Sequence, residues 1–161
     1  MNEKDRFLEL WEREFQTTIK VIKAYPHDKL DLQPSEKSRN ARNLIWTFVG
    51  EEMMITQAVN GAIEFAPGPP APESLDELVN IYQHSHREVH SKIEGLSEEQ
   101  CNATVQFPVG PGKMGDFRCI DIMWLSLYDM IHHRGQLSVY LRIAGGKLPS
   151  IYGPTADEPW S

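Results

Sequence analysis

"YDMIHHRGQ", residues 128–136, places ionisable side chains inside a helical pattern that is otherwise apolar. Around this stretch, apolar residues recur at the three- and four-residue spacing of one buried helix face, namely Ile122, Leu125, Tyr140 and Ile143. Asp129 and His133 lie four residues apart, so their side chains point the same way on that face. Because unpaired burial would be costly, the spacing predicts that this pair could hold one metal ion.

Length and composition predict one domain over residues 1–161, since a chain with 40% hydrophobic residues suits one core. The net charge of -7 comes from 16 basic and 23 acidic residues, and no basic stretch is interleaved with aromatics. Nucleic-acid binding is therefore disfavoured. No segment approaches the roughly 20 apolar residues of a membrane span, and residues 1–6 lack the apolar core of a signal peptide. We expect a soluble cytoplasmic protein without a membrane partner.

Four helical patterns separated by helix breakers predict an all-α fold. The first is expected over residues 3–24, and the second from residue 38 or 40 to 58. The third begins at residue 73 or 74 and ends at Gly95, and the fourth covers residues 120–144. The proline-rich stretch 66–72 predicts a stiff crossover, and residues 104–118 predict an irregular loop with a short extended piece near Val105–Val109.

Four helices of this length predict an up-down-type four-helix bundle with a long crossover. In such bundles, metal and ligand sites are built from side chains that project inward from facing helices. Glu51 lies within the apolar stripe of the second helix, so it would point to the same interior as Asp129 and His133.

Several stretches together give the chain a family resemblance. They are HHRGQ (132–136), YLR (140–142), Gly145, Pro149 and YG (152–153), and upstream LQPS (32–35), LIW (44–46) and the pair Glu51-Glu52. With these motifs, the chain resembles the DinB/YfiT-like superfamily over nearly its whole length. The resemblance implies a DinB-like four-helix bundle, a homodimer, and a divalent metal held by three histidines. One histidine would come from the second helix and two from the fourth.

The chain departs from this pattern at two of the three ligand positions. The histidine pair of the fourth helix falls on Asp129 and His133, and the histidine of the second helix falls on Thr47. One hypothesis is a rearranged site of Asp129, His133 and Glu51, whose nitrogen and oxygen donors suit zinc, nickel or manganese. The rival hypothesis is that the metal is lost and the same residues satisfy one another as a buried network.

Two further histidines have alternative interpretations. His132 lies beside His133, and the resemblance gives it no ligand role, so we assign it to supporting or interface contacts. His86 lies on the apolar face of the third helix, where a satisfied core histidine is the simplest interpretation. It is also the best substitute nitrogen ligand that the sequence offers.

Other residues of the fourth helix have structural interpretations. Arg134 and Arg142 are expected to pair with carboxylates such as Glu52 or Asp121. Gly135 costs helix stability, about 1 kcal/mol relative to alanine, which predicts close helix packing at that turn. The tryptophans at positions 11, 46 and 124 are expected to pack in the core or at a dimer face.

The functional prediction leaves the catalytic residues unknown, since no nucleophile with an attached base is evident. The resemblance implies a metal-dependent transferase or isomerase that uses a low-molecular-weight thiol and an electrophilic substrate, or a hydrolase-like activity. The alternative is a non-catalytic dimeric bundle with a degenerate metal site, acting as a stress-associated binding module. An open pocket that reaches His133 would favour catalysis, and a sealed network would favour the alternative.

Overall fold

The computed structural model describes residues 1–64 and 66–160 and is mostly helical. This part of the chain forms five α-helices: α1 (Glu3–Lys23), α2 (Ala41–Val59), α3 (Leu75–Glu94), α4 (Glu98–Cys101) and α5 (Cys119–Ile143). A 3-10 turn at His27–Lys29 precedes α2, and two strands, β1 (Thr104–Gly110) and β2 (Lys113–Arg118), separate α4 from α5. The four predicted helices are α1, α2, α3 and α5, and their positions are confirmed to within a few residues.

Side-chain caps explain where the long helices begin. Asn2, Asn40 and Ser74 each accept a hydrogen bond from the backbone N–H three residues further on. Such caps satisfy backbone donors that have no partner inside the helix. At the other end of α1, Pro26 follows the cap residue Ala24 by two positions and cannot continue the helix.

The fold is mostly helical as predicted, but the irregular loop predicted over residues 104–118 is an antiparallel hairpin, and the predicted extended piece near Val105–Val109 corresponds to β1. Thr104 pairs with Arg118 and Val105 with Phe117, and the register shifts between Pro108 and Gly110. Most hairpin side chains are exposed or half-buried on both faces, so the apolar and polar residues do not alternate as they do over a core. The proline and the register shift further obscure the period of two.

The core lies among the four long helices. α2 packs against α3 and α5, and α1 packs against the same two helices. Trp11 is fully buried in this core, and Trp46 and Trp124 pack against it as half-buried residues. Among the helices of the described residues, none presents an apolar stretch long enough to cross a bilayer.

The buried face of α5 differs from the predicted one. Leu125 and Ile143 are 42% and 56% exposed, so the predicted stripe is wrong at these positions. The face that enters the core also carries two polar residues, Ser126 and Arg134, so the apolar residues alone do not mark this face. As a result, Asp129 and His133 lie at the edge of the buried face rather than at its centre.

Gly135 does not mark a close helix contact, so that prediction is also wrong. A methyl group built on its backbone meets no atom within 4 Å among the described residues, and the residue is exposed. The glycine therefore lies on the solvent side of α5.

Candidate metal centre

Glu51, Asp129 and His133 come together between α2 and α5, and we call them the acidic cluster. One potential ligand atom from each residue lies within 4.8 Å of the others. No other group of three or more histidine, cysteine, aspartate or glutamate residues meets this spacing in the described part of the chain. Asp129 and His133 face α2 from successive turns of α5, and all three residues are half-buried. The donor set is one imidazole nitrogen and two carboxylates.

One buried polar atom of the acidic cluster lacks a hydrogen-bond partner. His133 Nδ1 is buried and has no hydrogen-bond partner among the described residues, and the Asp129 Oδ2 atom lies 3.5 Å from it. The His133 side chain is only 12% exposed, whereas Asp129 is 46% exposed. An unpaired buried polar atom costs about 1–3 kcal/mol. This nitrogen therefore lies near the Asp129 carboxylate without forming a hydrogen bond to it.

The charges of the acidic cluster oppose one another in the absence of a cation. Burial raises the pKa of Glu51 to about 9, and the neighbouring Asp129 carboxylate adds to the rise through a hydrogen bond that favours protonated Glu51 and through repulsion. Burial also lowers the pKa of His133, and the positive charge of Arg39 adds to this effect, while Asp129 opposes it. A neutral imidazole beside two close carboxylates is a donor set that a divalent cation would complete.

Two other sequence-predicted residues do not join the acidic cluster. The Thr47 hydroxyl, one turn before Glu51 on α2, donates to the backbone carbonyl of Leu44 in its own helix. His132 is exposed, and its Nε2 atom accepts from Gln136 Nε2 at 3.0 Å. The position of Thr47 therefore supplies no replacement for the missing histidine.

His86 is a core histidine with both ring nitrogens occupied, as the simplest interpretation predicted. Its Nδ1 lies 3.0 Å from Glu52 Oε1 and its Nε2 lies 2.9 Å from Glu12 Oε2. The ring stacks on Phe15 with 3.5 Å between the ring centroids, and the residue is 2% exposed. We call Glu12, His86 and Glu52 the core triad. Both ring nitrogens of His86 are hydrogen-bonded within the core triad, and His86 is not one of the residues that meet in the acidic cluster.

Arg134 has a different partner from those predicted. It forms a salt bridge to Glu14, with 2.7 Å between Nη2 and Oε2, and its Nη1 donates to Thr18 Oγ1 at 3.3 Å. The Tyr152 hydroxyl accepts from Arg134 Nη2 at 2.5 Å and donates to Glu14 Oε2 at 2.7 Å. We call these four residues the Arg134 network. The predicted pairing of Arg134 with a carboxylate is confirmed, but the partner is Glu14 on α1 and not Glu52, which belongs to the core triad.

The other predicted arginine pair is wrong as well. Arg142 lies 3.5 Å from Asp157, in the segment that follows α5. Asp121 is instead paired with Arg118, with 2.6 Å between Arg118 Nη2 and the carboxylate. The partner of Arg134 therefore lies on α1, and the partner of Arg142 lies in the segment after α5.

A cavity of about 500 Å³ opens on one side of His133. Its walls include Lys37, Arg39, Leu44, Val139 and Tyr140, and Arg39 Nη1 donates to His133 Nε2 at 3.4 Å. Sequence reasoning missed both basic residues because they lie in a turn-rich segment whose position relative to α5 carries no periodic signal. His133 therefore lines an open cavity and is at the same time a member of the acidic cluster.

Comparison with known proteins assigns the chain to a family. The model of the DinB family matches residues 1–160. An uncharacterised protein of Bacillus subtilis (strain 168), YrdA, is 27% identical over 160 residues, which cover 98% of this chain and 92% of the relative.

Solved structures share the fold at lower identity. The crystal structure of a DinB-like protein from Bacillus cereus matches with a TM-score of 0.77 and 19% identity, covering 91% of this chain and 95% of that one. The crystal structure of the mycothiol-dependent maleylpyruvate isomerase matches with a TM-score of 0.61 and 15% identity. That match covers 83% of this chain and 60% of the isomerase chain.

Proposed function

The chain belongs to the DinB family, and from that premise we propose that Glu51, Asp129 and His133 bind one divalent cation for chemistry on a low-molecular-weight thiol. The observation that carries the proposal is the meeting of His133 with the Glu51 and Asp129 carboxylates, where the buried Nδ1 atom of His133 has no hydrogen-bond partner among the described residues. A ligand nitrogen must be free of a proton and of other bonds, and a buried unpaired nitrogen meets the second condition.

A metal-free network of the same residues explains these contacts less well. In a self-sufficient network the buried polar atoms would be hydrogen-bonded to one another. Here His133 Nδ1 has no hydrogen-bond partner among the described residues. Glu51 and Asp129 share a hydrogen bond, and repulsion between their carboxylates also helps to raise the pKa of Glu51. A cation between the two carboxylates would turn this repulsion into attraction.

The donor set indicates which cations to expect. One imidazole and two carboxylates suit zinc, nickel or manganese, with positions left open for water or substrate. The replacement of a histidine by Asp129 adds a hard oxygen donor and so favours manganese more than a three-histidine site would.

Thiol chemistry is the activity that this arrangement would support. A divalent cation bound beside an open cavity would lower the pKa of a thiol ligand and hold it as the thiolate at neutral pH. In a transfer reaction the thiol gives up its proton, its sulfur bonds to an electrophilic carbon, and the leaving group departs with the bonding electron pair. The mycothiol-dependent maleylpyruvate isomerase, which shares the fold, is named for a thiol cofactor, and this supports the same class of activity here.

We also propose that the four long helices form an up-down four-helix bundle and that two copies form a homodimer in the cytoplasm. The packing of α1 and α2 against both α3 and α5 supports the bundle. Exposed apolar side chains on α5, among them Leu125 and Tyr128, support a dimer face. A strictly monomeric mass in light scattering at micromolar concentration would remove the dimer.

Elemental analysis of protein purified without a metal-affinity tag tests the metal site. Wild type is compared with His133→Ala and with His84→Ala, a control on α3 whose side chain is 64% exposed. We expect near-stoichiometric zinc, nickel or manganese in wild type and in His84→Ala, and none in His133→Ala. Absence of metal from all three, even after incubation with each cation, would contradict the proposal.

A transfer assay tests the chemistry separately. Metal-loaded wild type is incubated with a panel of small thiols and an aryl halide electrophile, and the loss of free thiol is followed with time. We expect turnover that disappears after chelation and in His133→Ala. Bound metal without turnover on any thiol would leave the metal site standing and remove the thiol chemistry, which would favour the non-catalytic binding module.

A further inference from the structure

We propose that the cavity beside His133 binds a small anion carrying a carboxylate or phosphate group, held by Lys37 and Arg39. We call this cavity the basic pocket; its walls include Lys37, Arg39, Leu44, His133, Val139 and Tyr140. The inference deepens the proposed function and rests on it, because His133 also belongs to the acidic cluster.

The charge of the basic pocket is unusual for this molecule. The chain carries a net charge of -7, yet two cationic side chains line one cavity. Within the described residues, neither Lys37 nor Arg39 forms a salt bridge, whereas the nearby Arg42 is paired with Asp31. Glu36 precedes Lys37 in the chain but is not among the residues that line the cavity. Two unpaired cations at one cavity favour an anionic ligand.

The segment that carries the two cations is held in place by hydrogen bonds. Gln33 Nε2 donates to the carbonyl oxygen of Ser38 at 2.8 Å and to that of Glu36 at 3.3 Å. The Tyr140 hydroxyl of α5 donates to the carbonyl oxygen of Arg39 at 2.9 Å. A segment that is already ordered loses less conformational entropy when a ligand binds.

The imidazole of His133 gives the anion a defined role. Its Nδ1 faces Asp129, and its Nε2 accepts from the Arg39 guanidinium at 3.4 Å. When Nδ1 binds a cation, the ring hydrogen is on Nε2 and faces the guanidinium, so two donors meet without an acceptor. An anion between them would accept from both. Anion and metal should therefore each strengthen the binding of the other.

The apolar part of the wall narrows the ligand class. Leu44 and Val139 line the same cavity as the cations, and its volume of about 500 Å³ lies in the range of small-molecule sites. We expect a ligand with an anionic group at Lys37 and Arg39 and an apolar portion against these two side chains.

Calorimetric titration tests the pocket with two probes, hexanoate and inorganic phosphate, at physiological salt. Each probe is titrated into metal-free and manganese-loaded wild type, Arg39→Gln, and the control Arg87→Gln on the exposed side of α3. We expect binding to wild type and Arg87→Gln, and affinity at least about tenfold weaker in Arg39→Gln. Tighter binding of hexanoate identifies a carboxylate ligand with an apolar portion, and tighter binding of phosphate identifies a phosphate ligand. No binding of either probe, or equal binding to Arg39→Gln, would overturn the inference.

The effect of bound anion on the affinity for manganese tests the basic pocket separately from the metal site. Saturating anion should raise the affinity of wild type for manganese about fivefold or more, and should leave that of Arg39→Gln unchanged. Anion binding without metal binding would remove the proposed metal site and leave the pocket. Metal binding without anion binding, or with no change of manganese affinity on adding anion, would remove the inference and leave the metal site.

Discussion

His133 and Arg134 are neighbours on α5, but they lie in opposite kinds of surroundings. Arg134 is 1% exposed, and its guanidinium is bonded to Glu14 and Tyr152. His133 lies beside Asp129 with a buried nitrogen that has no hydrogen bond among the described residues. Arg134 thus completes a buried hydrogen-bond network, whereas His133 leaves the acidic cluster with an unpaired nitrogen.

The difference separates a structural role from a binding role. A buried charge that is paired and hydrogen-bonded holds elements together and needs nothing further. The Arg134 network joins α1, α5 and the segment after α5 in this way. Two close carboxylates and an unpaired imidazole nitrogen are in contrast an arrangement that a bound cation would complete.

Removal of the guanidinium should produce the largest loss of stability. Arg134→Met removes the close, buried ion pair of Glu14 and leaves only the exposed Arg13 guanidinium at 3.4 Å, and loss of such a buried pair typically costs about 3–5 kcal/mol. Urea unfolding followed by circular dichroism would measure the loss. The control is Arg142→Met, whose salt bridge to Asp157 is half-exposed and should contribute at most about 1 kcal/mol. Equal losses in both variants would show that the Arg134 network is not a special source of stability.

Replacement of a carboxylate in the acidic cluster should change the metal preference rather than the fold. Asp129→His supplies a second imidazole at the position where the DinB-like pattern has one. We expect the affinity for zinc relative to manganese to rise about 30-fold, equivalent to about 2 kcal/mol, with little change in unfolding. Competition titrations with both cations would measure the ratio. An unchanged ratio would mean that Asp129 is not a ligand.

The sequence predicted the helices well because their signals are local. Capping residues such as Ser74 and breakers such as Pro26 act within a few positions, and the helix ends follow them. The hairpin over residues 104–118 was missed because its strands bury little and carry no regular alternation. The buried face of α5 was misplaced because its core side includes Ser126 and Arg134.

Helical spacing also predicted that Asp129, His133 and Glu51 point to one shared site. The structure brings potential ligand atoms of the three together, although whether they bind a metal stays a prediction. The partner of Arg134 could not be predicted, because Glu14 lies 120 positions away and has no motif that marks it. The basic pocket was missed for the same reason, since only the folded chain places Arg39 against His133.

The two regions should respond to pH in opposite directions. Burial alone would raise the pKa of Glu14, but hydrogen bonds from Tyr152 and Arg134 lower it below its ordinary value of 4.5. The stabilisation is therefore present above pH 4.5 and is lost as the pH falls through the lowered pKa of the folded state. For Glu51 the pKa is raised to about 9, so metal-free protein loses stability as the pH rises from 4.5 toward 9.

Glu51→Gln assigns the alkaline loss to the acidic cluster. The amide cannot ionise, so at about pH 8 we expect the metal-free variant to be more stable than wild type by about 1 kcal/mol. The loss of stability at acidic pH should remain in this variant, because Glu14 is unchanged. Urea unfolding of chelator-treated protein across pH 4–9 would measure both losses. Glu52, whose pKa burial raises to about 7, should still cause a loss as the pH rises from 4.5 toward 7. A loss of stability above pH 7 that persists in Glu51→Gln would assign it to a group other than Glu51.

The smallest expected effect concerns Gly135, which lies on the solvent side of α5 beside Arg134. Gly135→Ala should stabilise the protein by about 0.5–1 kcal/mol, because the methyl group meets no neighbour and the unfolded chain loses freedom. Gly50→Ala on α2 is the matched control, since a methyl group there also meets nothing within 4 Å. Thermal unfolding at low protein concentration would measure both gains. A gain in Gly50→Ala with a loss in Gly135→Ala would mean that another chain packs against α5 here, so the face of α5 that carries Gly135 would be part of an interface.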